Sequence, residues 1–389
     1  MDVPVSYRER GRWVWNWSTV KHIFFVLLYL LVIQVNVYLF GLNLDDGDNS
    51  LHSLDSYGQA VERHSYQPAQ DESCPGGGGA RHYRTPHGTL FKARALQYSL
   101  EPEVDILSDD DWIIHLDEET LLTEDAVVGI INFVSEGRHH FGQGVITYSR
   151  GHIVNWLTTL ADSVRVGVDY GSLRFTLKVL HKPFFSWKGS FIVANAAAEK
   201  KVSFDHGPES SIAEDCFFAM VAYQLGYSFG FVEGEMLEKS TFTLKDFVHQ
   251  RKRWMRGIFL TASSSKLPVR YKMGPILMTL AAFFLPLTSL NIPLGLLCPI
   301  PVKPSLNIVC AFIASTFEFL FILGTCKSFS VRRYGVLRHC LLVVATLGCS
   351  FFILIFENIA SIMAFWMPSE TEFYVVKKEL NFRDRQSIV

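Results

Sequence analysis

Four long apolar segments divide the chain into a middle region and a set of candidate membrane spans. The first covers residues 23–40, carries no charge and is followed by no small-residue cleavage site, which predicts an uncleaved signal anchor. The other three lie close together near the C-terminus, at residues 273–297, 306–326 and 340–367. A helix needs about 20 apolar residues to cross a bilayer. The pattern therefore predicts a multi-pass membrane protein.

The candidate spans also contain prolines and acids. Pro275, Pro286 and Pro293 interrupt the second span, which predicts a kinked or partly re-entrant segment. Glu318 and Glu357 lie inside the last two spans, and an ionisable group at that depth usually faces protein or a cavity. Two interpretations stay open for these acids: contact with lipid or substrate, or packing against a polar neighbour.

Between the first and second spans, a polar stretch gives way to alternating helices and strands. Residues 43–86 have no sustained apolar period and are predicted to be a glycine-rich linker. Downstream, the pattern predicts helices over residues 90–100, 123–136, 154–166, 214–225 and 244–259, and strands over residues 112–116, 144–148, 191–194 and 227–232. This alternation predicts an α/β layer built on a mostly parallel sheet.

These patterns predict six segments along the chain. They are an N-terminal tail (1–22), a membrane anchor (23–42), the linker (43–86), an α/β domain (87–270), a bundle of about three membrane helices (271–368) and a C-terminal tail (369–389).

Composition and charge exclude several classes of protein. The formal net charge is -2, which excludes an overall polyelectrolyte partner, so no nucleic acid is expected. The 31 Phe, 14 Tyr and 8 Trp exclude disorder for most of the chain. The 7 Cys show neither a CxxC motif nor a Cys/His ligand spacing, so neither a disulfide framework nor a zinc site is predicted.

The distribution of Lys and Arg predicts which side of the membrane holds the α/β domain. Basic residues cluster over residues 251–272, the next loop holds only Lys303, and a second cluster covers residues 327–338. By the positive-inside rule this alternation places the α/β domain in the cytosol. Basic residues over positions 8–21 favour the opposite orientation, and the larger number favours the cytosol.

Two acids follow the predicted strand over residues 112–116. Asp117 and Glu119 are two positions apart, at a strand end of the kind that binds ligands in α/β sheets. A pair of carboxylates there suits Mg²⁺ or Mn²⁺, which in turn can hold a diphosphate. The alternative is an acidic N-terminus for the helix that begins near Thr123, and for an isolated acid-x-acid pattern this is the simpler interpretation.

A second acidic pair, Glu214 and Asp215, opens the helix over residues 214–225. Carboxylates at a helix N-terminus are stabilised by the helix dipole, which is a sufficient structural explanation for one acid. The functional interpretation makes Asp215 a general base that takes a proton from an attacking hydroxyl group.

A basic motif lies on the amphipathic helix before the second span, from Gln250 to Trp254. It is typical of an interfacial helix that is attracted to anionic lipid and anchored by Trp254. A compatible hypothesis lets Arg253 neutralise a leaving diphosphate while Trp254 walls an acceptor pocket. Lys92 and Gly189 are weaker candidates, the glycine because it lets backbone approach a ligand.

The order of these motifs resembles that of the family-2 inverting glycosyltransferases with the GT-A fold. Within that family, the chain is similar to the Egghead-type β-1,4-mannosyltransferases of invertebrates. The similarity is carried by residues 88–97, 112–123, 154–162, 184–190, 214–220 and 250–254. The resemblance implies an α/β fold with a GT-A-like, Rossmann-related mixed sheet, together with transmembrane helices.

The resemblance also implies an activity. It is the transfer of mannose from GDP-mannose to glucosylceramide with inversion, assisted by Mn²⁺ or Mg²⁺, in glycosphingolipid biosynthesis at Golgi or endoplasmic reticulum membranes. The roles carried over by the matching motifs are metal binding for Asp117 and Glu119, catalytic base for Asp215, donor diphosphate binding for Lys92 and Arg253, and acceptor binding for Glu214, Gln250 and Trp254. Asp117, Glu119, Asp215 and Arg253 are accordingly expected to converge on one cleft.

The sequence departs from the family at its N-terminal side. In this fold, βαβ units that hold the nucleoside precede the metal-binding acids, and one unit takes about 30 residues. Residues 41–86 are mostly polar and unpatterned, so part of the nucleotide-binding half is expected to be absent or replaced. Other hypotheses stay open: a polysaccharide synthase or another lipid glycosyltransferase, or a catalytically impaired form that acts as a binding or scaffold protein.

Overall fold

The computed structural model describes residues 83–149, 153–185, 187–297 and 303–367, together with Tyr374 and Val376. The predicted N-terminal tail, the anchor span and nearly all of the linker lie outside the described residues, as does most of the C-terminal tail. The chain divides into two units. Residues 303–319 are the described part of the smaller unit, and all other described residues belong to the larger one.

A four-stranded mixed sheet forms the centre of the larger unit. Its strands are β1 (Trp112–His115), β2 (Phe141–Thr147), β3 (Ile192–Asn195) and β4 (Phe229–Leu237), in the order β1-β3-β2-β4. β3 is antiparallel to β1 and to β2, whereas β2 and β4 are parallel. The mixed sheet implied by the family resemblance is therefore confirmed. The mostly parallel sheet is wrong, because an alternation of helices and strands does not reveal that β3 inserts in the reverse direction.

The direction of β3 fixes where the loops gather. Because β3 is antiparallel to both of its neighbours, β1, β2 and β4 all run the same way and their carboxyl ends share one edge of the sheet. Asp117 comes just after β1, Tyr148 follows β2 and Glu238 follows β4. The chain enters β3 at this same edge through Ser190. Ligands of α/β sheets bind at such an edge.

Within the described residues, seven α-helices surround the sheet and lead from it to the apolar C-terminal region. They are α1 (Phe91–Ser99), α2 (Glu124–Glu136), α3 (Trp156–Val168), α4 (Arg174–Lys178), α5 (Ala196–Val202), α6 (Glu214–Gln224) and α7 (Leu244–Ser263). A π-helical turn, Asp169–Leu173, joins α3 to α4. All five predicted helices are confirmed. α4 and α5 were not predicted, because each spans only one or two turns.

Local chemistry explains where α2 begins and ends. The hydroxyl oxygen of Thr123 accepts a hydrogen bond from the backbone N–H of Ala126, and Glu124 and Asp125 lie in the first turn. Gly137 ends the helix with a left-handed φ of 57°, a conformation that glycine adopts at little cost. Both ends lie where the sequence predicts them.

Two hydrophobic clusters flank the sheet. One includes Phe141, Trp187 and Phe229, whose rings contact each other with centroid distances of 5.4 Å for Phe141–Phe229 and 4.9 Å for Trp187–Phe229. The other packs Phe133 of α2 against Val232 of β4. Burying a large apolar side chain contributes roughly 1.5–3 kcal/mol, so these clusters hold the sheet edge in place.

In the described part of the chain, three long helices overlap the segments predicted as the C-terminal spans. They are α8 (Met273–Leu297), α9 (Pro304–Ser328) and α10 (Val331–Phe365). The segments Met273–Leu290, Ala311–Ser328 and Val331–Phe365 are long and apolar enough to cross a membrane, which indicates a membrane protein. α8 is one helix through its three prolines, and the kinked or partly re-entrant segment stays a prediction. α10 is interrupted at Gly335, where φ is 75° and ψ is 159°.

Glycines bring the α/β part of the larger unit against its apolar helices. A Cβ atom on Gly167 of α3 would lie 2.0 Å from the carbonyl oxygen of Leu320, and one on Gly324 of α9 would lie 1.9 Å from that of Ser163. The two helices therefore touch backbone to backbone. Phe247 and Val248 of α7, Ala161 of α3, and Ile353 and Ala360 of α10 form a shared hydrophobic cluster beside them.

Candidate active site

Lys92 of α1 lies at the centre of the candidate site. Its Nζ is 2.7 Å from Oδ1 of Asp117 and 3.7 Å from Oε1 of Glu214, and it donates a hydrogen bond of 3.3 Å to the carbonyl oxygen of Gly189. Asp117 comes from the loop after β1, and Glu214 is the first residue of α6. Lys92 therefore joins segments that are distant in the sequence.

The acids around Lys92 control its protonation. Burial alone would lower the pKa of Lys92, but the carboxylates of Asp117 and Glu214 outweigh burial and raise its pKa above the usual value. The ammonium group therefore stays protonated at neutral pH. The cleft holds a fixed positive charge next to a cluster of carboxylates.

Asp215 lies beside this lysine at the N-terminus of α6, where its Oδ1 accepts a 2.7 Å hydrogen bond from the N–H of Cys216. A Cβ atom on Gly189 would lie 3.4 Å from Oδ2 of Asp215, so the glycine leaves the carboxylate uncovered. Burial, and then the charge of Glu214, raises the pKa of Asp215 to about 7. A carboxylate with this pKa accepts a proton efficiently near neutral pH, as a general base requires.

A small cavity, open to solvent, extends from these charges towards the core. Its polar lining includes a hydrogen bond of 2.7 Å between Nε2 of His115 and Oε2 of the buried Glu199. Its remaining walls are formed by the apolar side chains of Leu96, Trp187, Ile192, Phe204 and Phe218. The cavity thus combines an apolar body with a few polar groups, as ligand sites commonly do.

Hydrogen bonds fix the turn that carries the two predicted metal ligands. The Ser190 hydroxyl oxygen accepts a 3.1 Å hydrogen bond from the N–H of Asp117 and lies 2.9 Å from the Thr120 hydroxyl. The Thr120 hydroxyl donates a 2.6 Å hydrogen bond to Oε1 of Glu238. Sequence reasoning missed Thr120 and Glu238; only the neighbouring Gly189 pointed towards Ser190.

The same turn determines which cation the site could hold. Within the described ranges, no group of three or more His, Cys, Asp or Glu side chains is close enough to form a metal site by itself. Asp117 is 41% exposed, so it faces the open cleft. Mg²⁺ and similar ions often take one or two carboxylates and complete their coordination with substrate phosphates. The oxygen donors of Asp117 and Glu119 fit a cation shared in this way.

The basic motif of α7 is held by other contacts. Two arginines lie over the ring of Trp254. The guanidinium carbon of Arg165 is 4.1 Å from the ring centre, and that of Arg251 is 4.5 Å from the ring centre. Arg253 donates a 3.4 Å hydrogen bond from Nη1 to the carbonyl oxygen of Tyr374. Gln250 is half-buried on the same helix. The roles of these three motif residues stay predictions.

Arg251 explains one of the acids in the predicted spans. Its Nη2 is 2.6 Å from Oδ1 of Asp162, and its Nε is 3.0 Å from Oε1 of Glu357. Glu357 therefore packs against a polar neighbour, which was one of the two open interpretations. The two ion pairs also join α7 to α3 and to α10.

Close packing places α7 next to the acids of α6. A Cβ atom on Gly257 would lie 2.5 Å from the Cβ of Ala213, the residue before Glu214. The structure thus brings Lys92, Asp117, Glu214 and Asp215 together and sets the motif helix against the same segment. Glu119 lies two residues after Asp117, in the turn tied to Ser190.

The chain is similar to known glycosyltransferases. Residues 112–369 match the family model described as glycosyl transferase family group 2. The chain is 49% identical over 300 residues to the β-1,4-mannosyltransferase egh of Drosophila melanogaster, and 50% identical over 299 residues to the β-1,4-mannosyltransferase bre-3 of Caenorhabditis elegans. Each alignment covers 77% of this chain but only 65% of egh and 66% of bre-3, so the chain spans about two thirds of the length of these relatives. The resemblance inferred from the motifs is confirmed.

Proposed function

The chain belongs to glycosyl transferase family group 2, and from this premise we propose that it is a membrane-bound β-1,4-mannosyltransferase. The proposal depends on one observation: Lys92, Asp117, Glu214 and Asp215 meet in a cleft at the carboxyl edge of the sheet. The cleft offers a base, a fixed cation and carboxylates for a metal. These are the groups that displacement of a diphosphate by a hydroxyl group needs.

The donor we propose is GDP-mannose, and the acceptor is glucosylceramide. The relatives egh and bre-3 are β-1,4-mannosyltransferases. A lipid acceptor suits a cleft that adjoins apolar helices: a Cβ atom on Gly274, at the start of α8, would lie 1.5 Å from the carbonyl oxygen of Phe184. Phe184 lies five residues before Gly189, so the start of α8 adjoins the segment that leads into the cleft.

In the proposed reaction, Asp215 takes the proton of an acceptor hydroxyl group while the oxygen of that group attacks the anomeric carbon of mannose. The bond between this carbon and the diphosphate oxygen breaks on the opposite face, and its electron pair leaves with GDP. The proton ends on Asp215, whose pKa of about 7 suits this transfer. A single displacement inverts the configuration, so an α-linked donor gives a β-linked product.

The negative charge of the leaving diphosphate is offset by cations. Asp117 and Glu119 would hold Mn²⁺ or Mg²⁺, which when bound neutralises phosphate charge and stabilises the leaving group. Lys92 adds a permanent positive charge 2.7 Å from Asp117. Arg253 is proposed to contact the diphosphate, and Glu214, Gln250 and Trp254 are proposed to line the acceptor side.

The proposed location is a Golgi or endoplasmic reticulum membrane, with the α/β domain in the cytosol. The three apolar helices support membrane attachment. The basic residues of the α7 region, and those at the end of α9 and the start of α10, support the cytosolic orientation.

Membranes that contain the full chain test this function. They would be supplied with GDP-mannose, Mn²⁺ and glucosylceramide, and mannosylated lipid would be measured for wild type, Asp215→Asn and Glu124→Gln. Glu124 is a matched control, because it is an acid in the first turn of another helix, α2. Product from wild type and Glu124→Gln but not from Asp215→Asn supports the proposal. Lack of product from all three proteins, each correctly inserted, refutes it in favour of a binding or scaffold role.

A further inference from the structure

Arg165 of α3 carries a charge that the proposed reaction does not yet use. Its guanidinium carbon lies 4.1 Å from the centre of the Trp254 ring and 5.9 Å from that of Tyr148. The side chain is partly exposed. Over the ranges that the structure describes, the guanidinium group makes neither a hydrogen bond nor an ion pair.

Other arginines in the same region are paired. Arg251, which also contacts Trp254, is bonded to Asp162 and Glu357. Arg174 also lies over an aromatic ring, that of Phe231 at 5.3 Å, but it is paired with Glu233 at 2.9 Å. Arg165 differs from both, because among the described residues it contacts aromatic rings without forming an ion pair, although nearby acids attract its charge.

The acids near Arg165 already have partners. Asp162 is paired with Arg251, Asp169 with Lys188, and Glu238 accepts the hydroxyl hydrogen of Thr120. The guanidinium group has five N–H donors, and among the described residues none of its nitrogens is both buried and without a partner, so these donors reach solvent. An anionic ligand that enters from solvent can therefore bind them in place of water.

Arg165 lies at the sheet edge that carries the candidate site. Tyr148, which it approaches, directly follows β2, and Asp117 follows β1 at the same edge. With β3 between these strands, their ends are separated by two strand spacings, roughly 10 Å. Trp254 is one helical turn before Gly257, which touches the segment that leads into Glu214. Arg165 thus lies along the sheet edge that carries the candidate site, beside the end of β2.

We propose that Arg165, positioned by Trp254, binds the diphosphate of the sugar-nucleotide donor. The inference rests on the proposed function. A guanidinium group presents parallel N–H donors that match two phosphate oxygens, which an ammonium group does not. Since the proposed glycolipid acceptor is neutral, the donor diphosphate is the anion available to it. Trp254 then supports the arginine in addition to any contact with the acceptor.

The test compares nucleotides that differ by one phosphate. Calorimetry would measure binding of GDP, GMP and inorganic pyrophosphate to the full chain in detergent with Mn²⁺. Charge-assisted hydrogen bonds are worth enough that Arg165→Gln should weaken GDP and pyrophosphate binding about tenfold or more. GMP binding should change by less than about twofold, since it lacks the second phosphate. Arg165→Lys should give an intermediate loss of affinity for GDP and pyrophosphate. This variant keeps the positive charge and still tests the inference if the glutamine variant misfolds.

The matched control is Arg174→Gln, which removes another arginine from an aromatic ring and should leave all three affinities unchanged. The inference is overturned if Arg165→Gln binds GDP and GMP as tightly as the wild type does. It is also overturned if the variant loses affinity for both nucleotides by the same factor, because that result indicates a merely structural role. Failure of the wild type to bind GDP or pyrophosphate also overturns it.

The outcomes separate this inference from the proposed function. Arg165-dependent pyrophosphate binding without mannosyl transfer supports the role of Arg165 and refutes the activity. Mannosyl transfer by the wild type, together with an unchanged ratio of GDP to GMP affinity in Arg165→Gln, supports the activity and refutes the role of Arg165.

Discussion

Gly257 of α7 and Ala213 touch so closely that a Cβ atom on the glycine would lie 2.5 Å from the alanine Cβ. Ala213 immediately precedes Glu214 and Asp215. The helix that carries the basic motif and the turn that presents the proposed base therefore have a fixed separation, with no room for one methyl group.

We expect Gly257→Ala to reduce mannosyl transfer by about tenfold or more, because the added methyl group displaces either α7 or the turn before Asp215. Overpacking of this kind costs about 1–3 kcal/mol of stability. Mannosylated lipid and thermal unfolding would both be measured. Gly348→Ala is the control, since a Cβ atom there meets nothing within 4 Å. Equal activity of the two variants would contradict the argument.

The rate should depend on the protonation of Asp215. Burial and the neighbouring Glu214 raise its pKa to about 7, and only the deprotonated carboxylate can take a proton. Therefore kcat/KM should rise as the pH increases towards about 7 and level off above it. Measurement over about pH 5 to 9 checks this, and a profile that is flat through neutrality would rule out Asp215 as the base.

Lys92→Met should move this pH profile. The ammonium group of Lys92 lowers the pKa of Asp215, so its removal raises that pKa further and shifts the rising limb to higher pH. Lys92→Arg keeps the charge and should shift the limb much less. If Lys92→Met moved the limb to lower pH, the electrostatic account of the cleft would be wrong.

Asp117→Ala should lower the apparent affinity for Mn²⁺, so that about tenfold more metal is needed for half-maximal activity. Ser190→Ala should act in the same direction but less strongly, because it only frees the N–H of Asp117. Glu118→Gln, between the two predicted ligands, is the control. An unchanged metal titration in Asp117→Ala would remove that residue from the metal site.

Arg251→Met should destabilise the protein by about 3–5 kcal/mol, because it leaves Asp162 and Glu357 without their cation. Glu357→Gln should cost less, since the Glu357 side chain is 25% exposed and Asp162 still pairs with the arginine. Arg256→Met, which removes a neighbouring arginine of α7 that lies over Phe259, should cost about 1 kcal/mol or less. Thermal unfolding in detergent would compare the variants, and similar values for Arg251→Met and Arg256→Met would contradict the pairing.

Local patterns predicted most of the helices and the acids of the cleft. The limits of α2 follow from the cap at Thr123 and the stop at Gly137, which are encoded within a few residues. Asp117 could be placed at a strand end for the same reason. The reversed direction of β3 could not be predicted, since it depends on pairing with residues far away in the sequence.

Long-range partners account for what the sequence left open. The basic motif from Gln250 to Trp254 identified Arg253 as a candidate. No local pattern distinguishes Arg165, whose position over Trp254 brings together residues 89 positions apart. Likewise, the choice between lipid and protein for Glu357 needed Arg251, which lies in a different helix. Ser190, Thr120 and Glu238 became visible only once three strand ends shared an edge.

The backbone contact between Gly167 and the Leu320–Gly324 turn has a practical consequence. A fragment truncated before α8 would expose to water the surface around Gly167 and the hydrophobic cluster that includes Phe247. It would also leave Arg251 without Glu357, one of its two partners. Such a fragment would aggregate rather than behave as an autonomous soluble enzyme. Purification should therefore retain the lipid-facing helices and a detergent or nanodisc around them.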